Sequence, residues 1–399
     1  MTTPDTRVLF FVPEWPALES GVLASQVFAV AGFLARKGFD CQFVGAERSE
    51  EQAHRAEAFI EQRYSIQAKV FDLFPSRPNA LSLAATTYNT FARLRSFART
   101  FAPTHVYSRS CIASIFGRRL ASDSGAVSIY DLRALLASEV ALSRQRGTIA
   151  VRLINFIEER EMKRAERLAT VSKRLNLQIQ RQVSRTCTAV IPSCYDPQRF
   201  YLEAGAREQI RDEFRVTADE KLLCYSGGTA PWQRVGDILT LFDELSRRRD
   251  DVRFMILTPD AGHLRSTIAS LTYPSRFHLK NCSHDDVRRH LSACDAGVIM
   301  RHDTMVNNVA SPIKVAEYLA CGLPVIMTQG IGDYSEDLVR ERVGLLLDER
   351  KDLPEQVIQF IFNPDFDGIR DRASRYALGH LTLDANWKQY QDLYRPRGA

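Results

Sequence analysis

Residues Ser311 to Ile326 read SPIKVAEYLACGLPVI, and this stretch decides how the chain is interpreted. Serine followed by proline is a helix opening, because the hydroxyl can cap free amides and proline is favoured at the first helical position. A helix is therefore expected to begin at Ser311-Pro312-Ile313. Lys314 and Glu317 are three apart and share one face near its start, while Val315, Leu319 and Ala320 turn elsewhere to pack. Free amides, the positive end of the helix dipole and Lys314 together make an anion site suited to a diphosphate. Glu317, one turn deeper, can accept hydrogen bonds from sugar hydroxyls. The same spacing also fits a capped helix carrying an exposed ion pair.

Outward from this stretch, short apolar runs alternate with helical patterns, which is the signature of βαβ units and a parallel sheet. In the first half the expected strands are Val8 to Val12, Cys41 to Val44, Val106 to Tyr107, Val127 to Tyr130, Leu168 to Val171 and Val190 to Ile191. Expected helices lie near Val22 to Lys37, Ala80 to Phe101, Ile112 to Ala121 and Val151 to Glu166. The rhythm restarts after Asp196 with Leu222 to Tyr225, Phe254 to Leu257, Phe277 to Leu279, Ala296 to Ile299, Pro324 to Met327 and Gly344 to Leu347. The expected fold class is α/β: two doubly wound, Rossmann-like domains, residues 1–195 and 196–380, facing across a cleft. Residues 381–399 form a last helix whose Trp387, Tyr390 and Tyr394 have the spacing of an aromatic face packed on the body. In such sheets ligands bind beyond the carboxyl ends of the strands.

The chain has 399 residues, 45% of them hydrophobic, enough for two domains with cores of their own. No apolar run is long enough to span a bilayer, and the opening MTTPDTR lacks the pattern of a secretory signal, so a cytoplasmic location is expected. The eight cysteines include no C-x-x-C pair, which points to free thiols rather than a disulfide framework or a structural zinc. Net charge is +5, but residues 1–200 hold 27 Lys+Arg against 18 Asp+Glu, and the remainder 26 against 30. A basic half can face nucleic acid, an acidic membrane or an anionic substrate, or be a solvated surface.

The run S-P-x-K-x-x-E-Y-L-A-x-G-x-P-V-I, followed by Gly330-Ile331-Gly332-Asp333, resembles the donor-binding segment of glycosyltransferase family 4 enzymes of the GT-B fold. The resemblance implies that Glu317 holds the ribose of a nucleotide sugar and that Ser311, Pro312, Ile313 and Lys314 approach the diphosphate. The family's second glutamate, eight positions earlier, is replaced here by Val309, with Asn307, Asn308 and Asp303 nearby as substitutes. That departure leaves the transferred sugar and the donor class open.

A second block, LCYSGGTAPWQRVGDILTLFDEL from Leu223 to Leu245, combines a strand, the Gly227-Gly228 turn and an amphipathic helix with Arg234 at its start. Glycines let the chain approach a phosphate, and Arg234 is a counter-charge or a helix-surface cation. The block is similar to the family's phosphate loop, with Thr229 in place of an arginine and Arg234 in place of a lysine. Ile191-Pro192-Ser193-Cys194-Tyr195-Asp196, with Phe200 beyond it, is similar to the family's interdomain crossing.

In the first half, Ser20-Gly21 lies where GT-B enzymes carry a glycine-rich loop near donor phosphates and acceptor, so Gly21 is a candidate, or simply a helix opening. Asp131, Arg133 and Glu139 follow a strand end and are the candidate catalytic or acceptor-orienting residues; a local Asp131/Arg133 ion pair is the alternative. Arg109, after another strand, is a candidate phosphate contact. Tyr88 to Phe101 mixes Phe91, Leu94 and Phe97 with Arg93, Arg95 and Arg99, and can either lie on an anionic leaflet or cover the sheet.

No zinc spacing, H-E-x-x-H, P-loop or G-x-G-x-x-G occurs, so no metal or cofactor is expected. The resemblance implies a retaining glycosyltransferase taking an activated nucleotide-diphosphate sugar to a glycan or lipid-linked acceptor in cell-surface polysaccharide synthesis. It would be cytoplasmic, with possible peripheral contact on the inner face of the plasma membrane, and no nucleic-acid partner. The alternatives are a transferase of another donor such as phosphoribosyl diphosphate, a GT-B nucleotide-sugar epimerase, and a non-catalytic donor-binding subunit of a polysaccharide assembly complex.

Overall fold

The computed structural model describes residues 6–16, 23–72, 92–142, 147–281 and 284–397. The chain forms two compact units, Met1–Pro192 together with Asn386–Ala399, and Ser193–Ala385.

The first unit is built on a seven-stranded sheet. Its strands are β1 (Arg7–Pro16), β2 (Asp40–Glu47), β3 (Gln67–Asp72), β4 (His105–Ser108), β5 (Val127–Leu132), β6 (Arg167–Thr170) and β7 (Ala189–Val190). All pairs are parallel, in the order β3-β2-β1-β4-β5-β6-β7. Every residue of β4, β5 and β6 is buried, as expected of strands covered on both faces. Sequence patterning passes over β3: its residues QAKVFD mix polar and apolar types because the strand lies at the sheet edge. The helices Glu50–Tyr64 and Lys173–Val183 are likewise absent from the sequence reading. Each is capped by a serine, Ser49 accepting from Gln52 N and Ser172 from Leu175 N.

The described part of the Tyr88 to Phe101 segment, residues 92–101, is helical, and its apolar face is used internally. Leu94, Ala98 and Phe101 are buried with Leu9, Phe11, Val44 and Phe71, and Phe97 packs against the same cluster. Arg93 stacks over the Phe71 ring and Arg95 pairs with Asp123 at 2.9 Å. This helix covers the sheet and offers no apolar face to a lipid leaflet; Tyr88 and Phe91 lie outside the described residues. The helix Trp387–Tyr394 belongs to this unit, with Trp387 edge-on to Phe33 and Tyr394 edge-on to Phe39 and His105.

The second unit holds β8 (Lys221–Ser226), β9 (Val252–Leu257), β10 (Phe277–Lys280), β11 (Ala296–Ile299), β12 (Val325–Met327) and β13 (Gly344–Leu346). They form a parallel sheet in the order β10-β9-β8-β11-β12-β13. Alternate residues of β8, β9 and β12 enter different cores: Leu222, Cys224, Met255 and Met327 one, Leu223, Tyr225, Phe254 and Ile326 the other. Helices therefore cover both faces, which explains why the strands are continuously apolar. At the amino end of β11, buried Asp295 accepts from Leu222 N (2.7 Å) and pairs with Arg207 (2.7 Å), Arg211 (3.3 Å) and Arg370 (3.2 Å). One carboxylate thus ties two helices to that end of the sheet.

Candidate donor site in the second unit

Strand order reverses direction between β8 and β11, and the crevice beyond their carboxyl ends is where an open α/β sheet binds ligand. The residues there are Gly227 to Gln233 after β8 and Met300 to Asn308 after β11. The helix Ile313–Ala320 is delivered to this edge by Tyr318, whose hydroxyl accepts from Ser226 N at 2.7 Å. Its ring lies over Gly297 of β11, where a Cβ would come within 2.3 Å of it, so only glycine admits the contact.

Lys314 and Glu317 are consequently both buried, 8% and 7% exposed, rather than forming a surface ion pair. The Lys314 ammonium donates to Gln233 Oε1 (3.0 Å) and the Tyr225 hydroxyl (3.4 Å) and sits 4.4 Å from the centre of the Tyr225 ring. Gly227 has φ +138, and a Cβ there would lie 2.5 Å from Lys314 Nζ. Glycine is required on both counts, for backbone conformation and for the approach of the lysine. Burial, helped by the nearby Arg301 charge, lowers Lys314 to about 7, and burial raises Glu317 to about 7 against the pull of Lys314 and Arg199. Both groups are held where ionisation lacks solvent, a state that an incoming anion and a hydroxyl-bearing ligand would relieve.

The helix opening differs from expectation. Pro312, with ψ 123, is the residue before the first helical position, and no side chain caps the helix. The Ser311 hydroxyl instead accepts from Ser193 N (3.0 Å) and meets the Tyr334 hydroxyl (3.2 Å), while Ser193 Oγ donates to the Ser311 carbonyl (2.6 Å). The extended ψ of Pro312 and the pull of Ser193 turn Ser311 away from the helix amides. Ile313 is partly buried against the core beneath. Gly330 (φ +85) and Gly332 (φ +57) pass so close to the His302 and Ala310 carbonyls that a Cβ would lie at 2.7 and 1.9 Å.

Arg234 adopts φ 49 before the helix Val235–Arg248 and is engaged by Asp237 (2.6 Å) and Glu349 (2.7 Å). Its Nη1 donates to the Arg301 carbonyl at 3.2 Å. Arg301 itself, two residues past the end of β11, is 9% exposed; its Nη1 donates to the Trp232 carbonyl (3.3 Å). It has no carboxylate partner among the described residues and its Nε lacks a hydrogen bond. Sequence reasoning missed Arg301, Tyr225, Gln233 and Tyr318; an arginine directly after the apolar run Ala296 to Met300 was the available signal. Thr229 donates through both its amide and its hydroxyl to Asp260 Oδ2, each at 2.9 Å, and the Gly228 carbonyl accepts from the Tyr225 hydroxyl at 2.6 Å. A cavity of about 400 Å³ on this edge is lined by Thr229, Pro231, Arg234, Asp237, Leu264 and His302 among others. Val309 is buried; Asn307 donates to the His302 carbonyl (2.9 Å) and Asn308 to Asp303 (2.5 Å).

The first-unit candidates occupy two places. At the end of β5, Asp131 is buried, accepts from the Tyr107 hydroxyl and pairs with Arg133 at 2.8 Å, the local ion pair. Arg109 follows β4 beside the switch between β1 and β4, is buried, and donates to Gln26 Oε1 at 2.5 Å. Its charge reaches Glu139, whose carboxyl burial nonetheless raises. Gly21 lies outside the described residues.

Residues 206–378 match the family model "Glycosyl transferases group 1". No curated protein sequence matches the chain. Solved structures do. Sucrose-phosphate synthase from Thermosynechococcus elongatus is 14% identical, with 98% of each chain covered and a TM-score of 0.77. Anabaena HepE, solved in complex with UDP-glucose, is 15% identical over 97% of this chain and 99% of its own, TM-score 0.72. WaaG, a glycosyltransferase involved in lipopolysaccharide biosynthesis, is 15% identical over 98% and 100%, TM-score 0.66. The chain thus has the α/β fold of the GT-B glycosyltransferases, and the match to the group 1 model lies within its second unit.

Proposed function

We propose that this protein is a retaining glycosyltransferase whose second unit binds a nucleotide-diphosphate sugar and whose first unit binds a glycan or lipid-linked acceptor of cell-surface polysaccharide synthesis. The observation that carries this reading is the Lys314 ammonium buried against Gly227 at the sheet's switch point, with Glu317 one turn deeper. A diphosphate placed there replaces lost hydration with Lys314 and Arg301. Negative charge grows on the leaving phosphate as the sugar departs, and preorganised cations that cost no reorganisation stabilise it at that moment. Glu317 accepts from ribose hydroxyls, which fixes the nucleoside end. Arg301 supplies the second cation that Thr229 does not. Asp131 with Arg133, and Arg109 with Glu139, are the proposed acceptor-side groups.

Because HepE was solved with UDP-glucose, uridine diphosphate is the first ligand to test, beside guanosine and cytidine diphosphates and phosphoribosyl diphosphate. Calorimetry should give binding of one nucleoside diphosphate that Lys314→Ala weakens on the order of a hundredfold. Unchanged affinity in that variant would sink the assignment. With the matching labelled donor and membrane extract, sugar transfer with retained anomeric configuration supports the reading. An isomerised donor identifies an epimerase, and binding without turnover a non-catalytic subunit.

A further inference from the structure

The 17-residue helix Thr148–Arg164 leaves large apolar side chains in water: Ile149 is 84% exposed, Leu153 59% and Phe156 63%. Their spacing, i, i+4 and i+7, places them on one face. Arg152, Arg160 and Lys163 fall on the same face by the same periodicity, and all three are exposed. Of the helix carboxylates, Glu158 and Glu161 are buried away from this face, and Glu159 lies half-buried at its edge. Glu158 accepts from the amides of Leu136 (2.8 Å) and Ala137 (3.5 Å), and Glu161 pairs with Arg118 (3.0 Å). Glu159 accepts from Asn155 (2.7 Å) and from Gln182 (3.1 Å) of the adjoining helix Lys173–Val183. That neighbour carries no acidic residue and turns out Leu177, 49% exposed, with Lys173 and Arg181 also exposed. Nine of the first half's 27 Lys+Arg lie between Arg152 and Arg185, so the basic excess is concentrated here.

We infer that this two-helix face docks on an anionic lipid bilayer surface, Ile149, Leu153 and Phe156 entering the headgroup boundary and the basic residues meeting lipid phosphates. Apolar residues ringed by cations are what an interfacial helix needs. A second copy of the chain fits poorly, because a two-fold pairing would set the same cations against each other. A purely polyanionic partner would leave the apolar centre uncovered. The inference goes beyond the donor-site reading and does not depend on it.

The test is co-sedimentation of the full chain with vesicles of phosphatidylcholine and phosphatidylglycerol in roughly equal parts, beside phosphatidylcholine alone. The expected result is binding to the anionic vesicles, weakened by salt. Ile149→Ser/Leu153→Ser/Phe156→Ser and, separately, Arg152→Gln/Arg160→Gln/Lys163→Gln should each lower it on the order of tenfold or more, with melting temperature retained. The glutamine variant keeps the question decidable if the serine variant folds poorly. Absence of vesicle binding, or equal binding by wild type and both variants, overturns the proposal. So does a wild-type dimer that the serine variant converts to monomer, which would make the face an interface between copies. Nucleoside diphosphate calorimetry reports separately on the donor site, so either reading can fail alone.

Discussion

Lys314 is an ammonium group placed where water is scarce, and its lowering to about 7 has a directional consequence. A bound diphosphate favours the charged form, so above pH 7 the empty protein must take up a proton at Lys314 as it binds. Diphosphate affinity should therefore fall above pH 7, by at most about tenfold per unit, and calorimetry at pH 8 in buffers of different ionisation enthalpy should record proton uptake. An affinity that stays flat to pH 9 would mean Lys314 does not face the phosphates. The two arginines nearby make a second comparison. Arg301→Gln should weaken donor binding on the order of tenfold to a hundredfold, whereas Arg234→Gln, already balanced by Asp237 and Glu349, should cost only a few-fold. Equal losses in titration would restore Arg234 as a direct phosphate contact. Lys314 and Glu317 were legible because their spacing survives in any helix. Arg301 was not, because its one local signal, a place directly after an apolar run, is shared by solvated arginines at strand ends.

At the scale of elements, the helix Ile313–Ala320 is positioned from two sides, by the Tyr318 hydroxyl on Ser226 and by the glycine at 297 beneath its ring. The opposite end of the same sheet is secured by Asp295 and its three arginines. Burial opposes ionisation of Asp295, but the arginines and the Leu222 amide outweigh it and hold the carboxyl below its ordinary range. Asp295→Ala strands three guanidinium groups, one of them fully inside, and should cost about 3–5 kcal/mol in denaturant unfolding of the second unit. A loss under about 1 kcal/mol would show those arginines to be satisfied by water. Because the folded-state value is depressed, this stabilisation is present above the unfolded carboxylate range and disappears as pH falls through the folded value. The strands were legible as apolar runs, except β3, whose polar residues match an edge and not a centre. The serine cap expected at Ser311 failed for a tertiary reason: Ser193, 118 positions away in sequence, claims that hydroxyl.

Across the whole molecule, the chain leaves the first unit after Pro192 and rejoins it at Asn386. The returning helix is held by Tyr394, 2% exposed and packed on Phe39 and His105, and by Arg167, which donates to the Leu393 carbonyl at 2.8 Å. Tyr394→Ala should destabilise the first unit by about 3 kcal/mol and leave diphosphate binding in the second unchanged. Hydrogen exchange would localise the loss: faster exchange in β4 and β6 but not in β8 or β11 is the expected pattern, and uniform acceleration across both units would contradict it. No helix among the described residues is long and apolar enough to cross a membrane.

Local pattern was sufficient to identify two successive parallel α/β sheets and to single out the Lys314/Glu317 helix, since continuous apolar runs and period-3.6 spacing are properties of neighbouring residues. Which cation faces the switch point, which serine is spoken for, and which amphipathic helix keeps its apolar face in water were settled by tertiary packing. Leu94 and Leu153 both stand in amphipathic helices, yet one is covered by β1 and β2 and the other stays more than half exposed. Burial is decided by what the rest of the chain brings alongside, and composition carries no record of that.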